Sequence, residues 1–555
     1  MSAARHDYVG AVTAAKATRL RTVAIVFYLL ASALLAWALR HRLNPDGICY
    51  IEVARHVFHG EYQLAVNSWW SPAFSALILP TFWFGADPVL WARLIQIPAG
   101  LLFAQATNRL IRDAFGPSGA PAGFLLALCA ALAMQTGPIT PDIWHAATLT
   151  WYFVHAQRLL RDGGMKHAAA AGILGGLNYL VKAYSLPFIL LHLTVTLLLR
   201  QLQPGERRWQ TSAAQWAVAI ALLALASAPW VAVISAHDHE ITMSSAGRYW
   251  TAAQPINARE TAPVLGLFEV PTGRVTSLED IRSMPLQWKP APPFGSVRDQ
   301  FRALRRNFIE LCFGLDRLDG IGLTKMFVLL SLALIFPLRT VNAELTRLTL
   351  VWVLISVFVY LAGYSLTYFV DRFLWAIWGL LILLCVSGPN ALVRQLGLRV
   401  EPNAMQRIRE TARQWQNAAL LILGGLILAG VGLSLGAEFA GGSNARAREI
   451  NLAAKRLPPG RAIAATDWYA GINFAYWNRG RYLGGTSAQT AEGLETELSR
   501  FGPVVLLVVD QPALSKALGK TKTFKGIDLG SRLIDAFEFE PSKRAPERKT
   551  GASPP

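Results

Sequence analysis

Apolar runs of bilayer length recur through this chain, and no other feature restricts its fold as strongly. They fall near Thr22–Leu39, Pro72–Phe84, Val89–Leu110, Ala120–Gln135, Ile143–Leu160, Thr211–Ser235, Leu323–Pro337, Leu348–Gly363, Phe373–Val386 and Ala418–Leu435. A hydrocarbon core of about 30 Å is crossed by roughly 20 apolar residues in a helix, and lipid leaves the backbone no other partners than its own. One further stretch, His167–Arg200, is almost uniformly apolar. As a single helix it would run about 50 Å, so it must break. Its polar interruption is Lys182-Ala183-Tyr184-Ser185, just before Pro187, and a tight hairpin there puts Lys182 at a membrane face. The chain reads as a polytopic α-helical membrane protein of about 12–13 transmembrane helices. A charged fraction of 16%, against about 25% in soluble domains, agrees.

The net charge of +18 does not point to nucleic acid. Lys and Arg gather in short loops between spans, which is the positive-inside pattern, so membrane lipids are the expected partners. Arg158, Arg161 and Lys166 make one basic loop, Arg200, Arg207 and Arg208 a second, Arg339 and Arg347 a third. Arg394, Arg399, Arg407, Arg409 and Arg413 make a fourth. With these loops in the cytoplasm, Asp46, Asp142, Lys182, residues 237–322, the segment Tyr364–Arg372 and the C-terminal part face outside. The basic N-terminus ahead of Thr22–Leu39 reads as cytoplasmic and the run as an uncleaved first span, too long for a signal h-region. That arrangement needs an odd number of spans, and a short or broken span between Pro117 and Leu160 is expected to supply it. Cys49, Cys129, Cys312 and Cys385 show no ligand spacing. Cys49 and Cys312 both fall in outer segments, which leaves a bridge between them geometrically open beside the reading as two free thiols.

The first substantial polar segment, Asn44–Pro80, places Asp46 ahead of an amphipathic pattern. Tyr50, Val53, Ala54, Val57 and Phe58 line one side, and Glu52, Arg55, His56 and His59 the other. Such a helix is expected to lie at the membrane surface and to hold Asp46 at headgroup depth, where a carboxylate can take a proton from a hydroxyl. Asn-Pro-Asp is equally a helix start. Asp142, in Thr140-Pro141-Asp142-Ile143, is a second carboxylate with the same alternative, an acid at a positive helix end. Lys182 inside an apolar stretch is costly unless paired or wet; it reads as a phosphate-holding cation or as a snorkelling lysine. Tyr364–Trp375 places Tyr368, Asp371 and Arg372 at a span end. Arg suits bidentate phosphate contact, and an aromatic-belt anchor is the other reading. His237-Asp238-His239-Glu240 offers metal-type ligands at adjacent positions that rarely converge on one ion.

Two soluble pieces remain. Residues 237–322 form a large outer loop holding Trp250, Trp288, Arg302, Arg305 and Arg306. Residues 438–540 read as a small extracytoplasmic α/β domain: Arg461–Thr466 and Val504–Val509 as buried strands, Asn444–Leu457 and Thr490–Phe501 as helices. Residues 541–555 read as a disordered tail. Residues 1–437 would then be the transmembrane domain, with 41–71 its first outer loop.

The chain resembles the GT-C superfamily of membrane glycosyltransferases, in particular the branch with bacterial lipid A aminoarabinose and galacturonic acid transferases and protein O-mannosyltransferases. The resemblance covers about Thr22–Pro389. It rests on Asp46-Gly-Ile-Cys-Tyr-Ile-Glu-Val-Ala with Gly60 and Trp70-Ser-Pro72, on Pro141-Asp142, on Gly172-Ile-Leu-Gly-Gly-Leu-Asn-Tyr-Leu-Val-Lys182, and on Asp371-Arg372-Phe373. It implies inverting transfer of a sugar from a polyprenyl-phosphate donor to a hydroxyl of a glycolipid, glycan or protein acceptor. The setting would be the periplasmic face of a bacterial inner (cytoplasmic) membrane. Asp46 would be the catalytic base, with Asp142 supporting the acceptor side or a divalent metal ion. Lys182, Arg372 and Tyr368 would hold the donor phosphate, and Glu52, Trp70 and Asp371 would contact sugar or acceptor. No organic cofactor is implied. Asp46-Gly47 departs from the two adjacent acidic residues usual in the protein mannosyltransferases. The alternatives are a lipid or polysaccharide transporter or flippase, which would carry repeated halves and mid-membrane charges, and a glycan polymerase or ligase.

Overall fold

The computed structural model describes residues 2–116, 119–203, 209–247, 266–280, 301–302, 304–307, 309, 344–366, 370–386, 421–437 and 442–540. A helical bundle carries a six-stranded sheet domain at one end. The bundle helices are α1 (Ser2–Ala38), α6 (Pro88–Leu94), α7 (Gln96–Phe115), α8 (Ala120–Gln135), α9 (Asp142–Arg161), α10 (Met165–Val181), α11 (Ser185–Arg200) and α12 (Trp209–Asp238). With them go α13 (Glu344–Ser365), α14 (Arg372–Val386) and α15 (Leu421–Ala437). Between α1 and α6 lie α2 (Pro45–Phe58), α3 (Tyr62–Ala65), α4 (Pro72–Ile78) and α5 (Pro80–Trp83).

Among the described residues, four helical stretches are long and apolar enough to cross a membrane: Thr18–Ala38, Pro88–Phe115, Trp209–Asp238 and Leu348–Ser365. The expected break falls where the sequence placed it, with Lys182 in extended conformation between α10 and α11. One expected span is corrected. Pro80 interrupts Pro72–Phe84, leaving helices of 7 and 4 residues that together rise only about 17 Å. They pack beside α2, where the Ser75 hydroxyl donates to the Tyr50 carbonyl at 2.9 Å. The short extra span expected between Pro117 and Leu160 is not found, since residues 119–161 hold only the two helices already expected there. Leu323–Pro337, Cys312, Trp250, Trp288 and residues 541–555 lie outside the described residues.

Close helix packing in the bundle depends on small residues, as membrane interfaces require. Gly172 and Gly176 sit one turn apart on α10 against α12. A Cβ at Gly172 would lie 2.3 Å from the Ala219 carbonyl oxygen, and one at Gly176 would lie 2.4 Å from the Ala226 Cβ.

The sheet order is β1-β3-β2-β4-β6-β5, with β1 Gly266–Leu267, β2 Ala462–Ala465, β3 Arg481–Gly485, β4 Val504–Val509, β5 Phe524–Ile527 and β6 Ile534–Phe539. β2 pairs parallel with β3 and β4, and β2 and β4 are buried along their whole length, as central strands of a covered sheet are. Their alternate side chains feed two cores. Ala462, Ala464, Val504, Leu506 and Val508 face α18 (Ala491–Leu498) and α19 (Pro512–Leu518). Ile463, Ala465, Val505, Leu507 and Val509 join a core that includes α16 (Ser443–Ala454) and α17 (Trp468–Asn478). β1 comes from the 237–322 loop and pairs antiparallel with β3.

That second core also takes in Ile48, Tyr50, Ile51 and Ala54 of α2. Here the expectation of a surface-lying helix is corrected. α2 is buried under the sheet domain, and even its polar side is covered, with Glu52 and His56 each 3% exposed. The physical reason is that both faces find partners: the apolar face the domain core, the polar face charges from remote segments.

Replacing Gly172 with Leu should force α10 from α12. Overpacking of this kind costs about 1–3 kcal/mol, and a lowered unfolding temperature of the detergent-solubilised protein checks it.

Candidate functional site

Four of the candidate residues meet at the bundle end beneath the sheet domain. Asp46 stands in the first turn of α2, behind Pro45. Asn44, the residue before the helix, does not cap it; its side-chain oxygen instead accepts from the Ile139 N–H at 2.7 Å. That bond ties the start of α2 to the turn that leads into α9. Asp142 opens α9 and accepts from the Thr140 hydroxyl at 2.8 Å. Lys182 donates to the other oxygen of Asp142. Arg372, in the 3-10 turns that start α14, donates from Nη2 to Asp46 at 2.7 Å and lies 3.6 Å from Asp142 through Nε.

Neither carboxylate accepts a capping hydrogen bond, although both stand in the first turn of their helices, where the helix dipole favours an acid. Asp46 is turned to Arg372 and Asp142 to Lys182 and Arg372. Exposure grades across the cluster: the Asp142 side chain is 4% exposed and that of Lys182 18%, whereas those of Asp46 and Arg372 are 29% and 30%. The Asp46–Arg372 pair is thus the open side and Asp142–Lys182 the support beneath it.

Aromatic and polar side chains hold the cations. The Lys182 ammonium lies 4.2 Å from the Phe373 ring centroid, and Phe373 stacks on Tyr364, which stacks on Tyr184. The Tyr184 hydroxyl donates to the Tyr360 carbonyl at 2.6 Å, and the Tyr360 hydroxyl donates to the Phe373 carbonyl at 3.1 Å. The hairpin itself is pinned by Ser71, whose hydroxyl accepts from the Ala183 N–H at 3.0 Å. His145 lies one turn below Asp142, 2.7 Å from Asn178 and 3.2 Å from the Tyr360 hydroxyl. Sequence reasoning missed His145, Asn178 and Tyr360. The available signal was spacing, since His145 follows Asp142 by three residues and Asn178 precedes Lys182 by four, so each shares its face.

The remaining candidates sit elsewhere. Glu52 is 3.1 Å from Arg55 and 3.4 Å from Arg479, away from the Asp46 cluster. The Trp70 indole donates to the Leu278 carbonyl at 3.0 Å and packs edge-on to Tyr50. Asp371 begins the 3-10 turns, and Tyr368 lies outside the described residues. His237 is 2.9 Å from its neighbour Asp238. Among the described residues no three His, Cys, Asp or Glu gather as a metal site, and Asp46 and Asp142 are already met by Arg372 and Lys182. This donor set does not fit a divalent cation.

The fold and cluster define an integral-membrane protein with a polar, ion-paired site at one end of its bundle. Its fold is similar to those of solved membrane proteins of low sequence identity. The structure of ArnT from Cupriavidus metallidurans bound to undecaprenyl phosphate is similar, with a TM-score of 0.53 at 15% identity over 92% of this chain and 97% of that one. The apo state of the same protein gives 0.53 and 15% over 94% and 99%. The Archaeoglobus fulgidus oligosaccharyltransferase in complex with Zn and sulfate gives 0.50 at 11% over 92% and 72%. No family model and no curated protein matches the sequence. Gly47, where the paired-acid pattern is broken, has a structural reason: a Cβ there would lie 3.0 Å from both the Ile139 Cβ and the Asn44 side-chain oxygen.

Removing Lys182 would leave Asp142 buried with only the more distant Arg372. Lys182→Met should therefore destabilise the protein by about 3–5 kcal/mol, the usual cost of orphaning a buried charge. Adding Asp142→Asn should recover most of the loss in a thermal or denaturant unfolding cycle.

Proposed function

We propose that this protein is an inverting glycosyltransferase that moves a sugar from a polyprenyl-phosphate donor to an acceptor hydroxyl. The site would face the periplasm at a bacterial inner membrane. The observation that carries the reading is Asp46: a partly exposed carboxylate that makes no capping hydrogen bond, paired to Arg372 beside a second cation. The fold shared with ArnT, whose structure holds undecaprenyl phosphate, agrees with a lipid-linked donor.

In the free protein the two carboxylates and two cations balance. A donor phosphate diester brings negative charge, and Arg372 is the cation placed to turn toward it, with Lys182 behind. That turn releases Asp46. The acceptor oxygen then attacks the anomeric carbon from the face opposite the phosphate, and Asp46 takes the hydroxyl proton. The carbon–oxygen bond to the phosphate breaks, its electron pair stays on the leaving oxygen, and the new charge meets preorganised cations. Asp142 keeps Lys182 in position and ionised. The 438–540 domain would cover the site, and a glycolipid, glycan or protein would supply the hydroxyl.

The test is transfer by the purified protein in lipid nanodiscs from a polyprenyl-phosphate sugar. Asp46→Asn should lower the rate by a factor on the order of 10³ while the protein stays folded and membrane-inserted. Near-normal transfer by Asp46→Asn would refute the mechanism. Mass spectrometry of envelope glycolipids with and without the gene identifies the acceptor.

A further inference from the structure

α2 carries a second group of charges that the proposed reaction does not use. His56 is 3% exposed and puts both ring nitrogens on carboxylates: Nδ1 is 2.7 Å from Glu61 Oε2, and Nε2 is 3.0 Å from Glu279 Oε2. An ionised carboxylate can only accept. Both contacts are therefore hydrogen bonds only while the ring is an imidazolium; a neutral ring turns a lone pair on one of them.

Glu279 does more than receive His56. It is fully buried, and its other oxygen accepts from the backbone N–H groups of Val275 at 2.7 Å and Thr276 at 3.0 Å. The same carboxylate thus shapes the 275–279 turn and binds α2. This turn ends the 266–280 segment that begins as β1 of the sheet, and its Leu278 carbonyl holds Trp70. One imidazole joins the helix bearing Asp46 to the segment stitched into the sheet.

The other charged groups facing this point come from three elements. On α2, Glu52 lies 3.1 Å from Arg55. Arg479, at the end of α17 with φ of 59°, reaches Glu52 at 3.4 Å. On the 266–280 segment, buried Arg274 lies 3.5 Å from Asp280. Burial pushes Glu52 up to about 7 against the opposing pull of Arg55. Burial pulls His56 down, but the hydrogen bonds it donates to Glu279 and Glu61 outweigh it and leave the ring above its ordinary value.

We propose that His56 is a positioning residue. As an imidazolium it latches the 266–280 segment onto α2 and so holds Asp46 in place, and the latch opens when the ring loses its proton. The sign follows from linkage. A raised folded-state value means that the stabilisation is complete below about pH 6.5, the unperturbed histidine value, and is lost as pH rises through the folded value. Glu52 works in the same direction but earlier, its penalty growing from the ordinary 4.5 to about 7.

Cys49, buried on α2 beside Glu279 and Arg274, reports the latch. The experiment is N-ethylmaleimide labelling of Cys49 in the full-length protein in nanodiscs between about pH 6 and 8.5. It is read by peptide mass spectrometry and normalised to the unfolded protein. The wild type should be protected at low pH and label about tenfold faster, relative to the unfolded chain, at high pH. His56→Gln should label fast throughout. Glu279→Gln should stay protected throughout, because its amide keeps the backbone bonds and donates to a neutral Nε2. His56→Gln as protected as wild type, Glu279→Gln opening with pH, or Glu52→Gln alone abolishing the pH response would each overturn the latch.

The effect on transfer rests on the glycosyltransferase reading. His56→Gln should lower kcat severalfold and flatten the alkaline fall of the wild type, while Glu279→Gln removes that fall. Normal transfer by His56→Gln overturns the positioning role. Absence of transfer in the wild type with the labelling pattern intact overturns the transferase reading alone.

Discussion

Four charges from four distant parts of the chain share one small volume, and each is tolerable there only because the others are present. An uncompensated ion at such depth costs several kcal/mol, so Asp46, Asp142, Lys182 and Arg372 act as mutual conditions of placement. Asp142 fixes the top of α9, Lys182 the hairpin between α10 and α11, and Arg372 the start of α14. Asp46 brings the loop after α1 into register with all three. The site is thereby a structural keystone as well as a chemical one, with its most exposed pair free to rearrange around a ligand.

Above that cluster the molecule is layered. The bundle lies below, α2 with α4 and α5 in the middle, and the sheet domain on top. α2 belongs to neither neighbour alone, since its apolar residues share the sheet's core while its first turn reaches the ion pairs. The Tyr469 hydroxyl of α17 donates to the Leu43 carbonyl at 2.8 Å, three residues ahead of Asp46. Geometry at the carboxylate is therefore set from both layers.

Much of this was legible in residue pattern because the governing forces are local. Bilayer length forces the break at Lys182, and continuous apolar runs mark β2 and β4. The convergence of Asp46, Asp142, Lys182 and Arg372 on one end follows from loop charge. What escaped was set by partners remote in sequence. His56 meets Glu279 across 223 positions and Arg479 meets Glu52 across 427, so a polar helix face that reads as solvated is buried. β3 ends in Gly484-Gly485, which obscures its strand pattern. Pro72–Phe84 has the composition of a span without the uninterrupted length.

The sheet's edge strand β1 is made long before the strand it pairs with, since Gly266 and Leu267 wait for Gly485 and Gly484. Among the described residues every other strand lies within 462–540, so α2 and the 266–280 segment leave the ribosome with their apolar faces uncovered until those strands follow. Such non-local pairing is slow and exposes adhesive surface meanwhile. The charge cluster, complete once α14 has emerged, can form first and hold α2 at the bundle until its cover arrives. Quality control of this protein then has a natural checkpoint. A chain stopped before residue 462 presents a finished ion-pair cluster beneath an open hydrophobic face, which is the kind of surface that chaperones and proteases read.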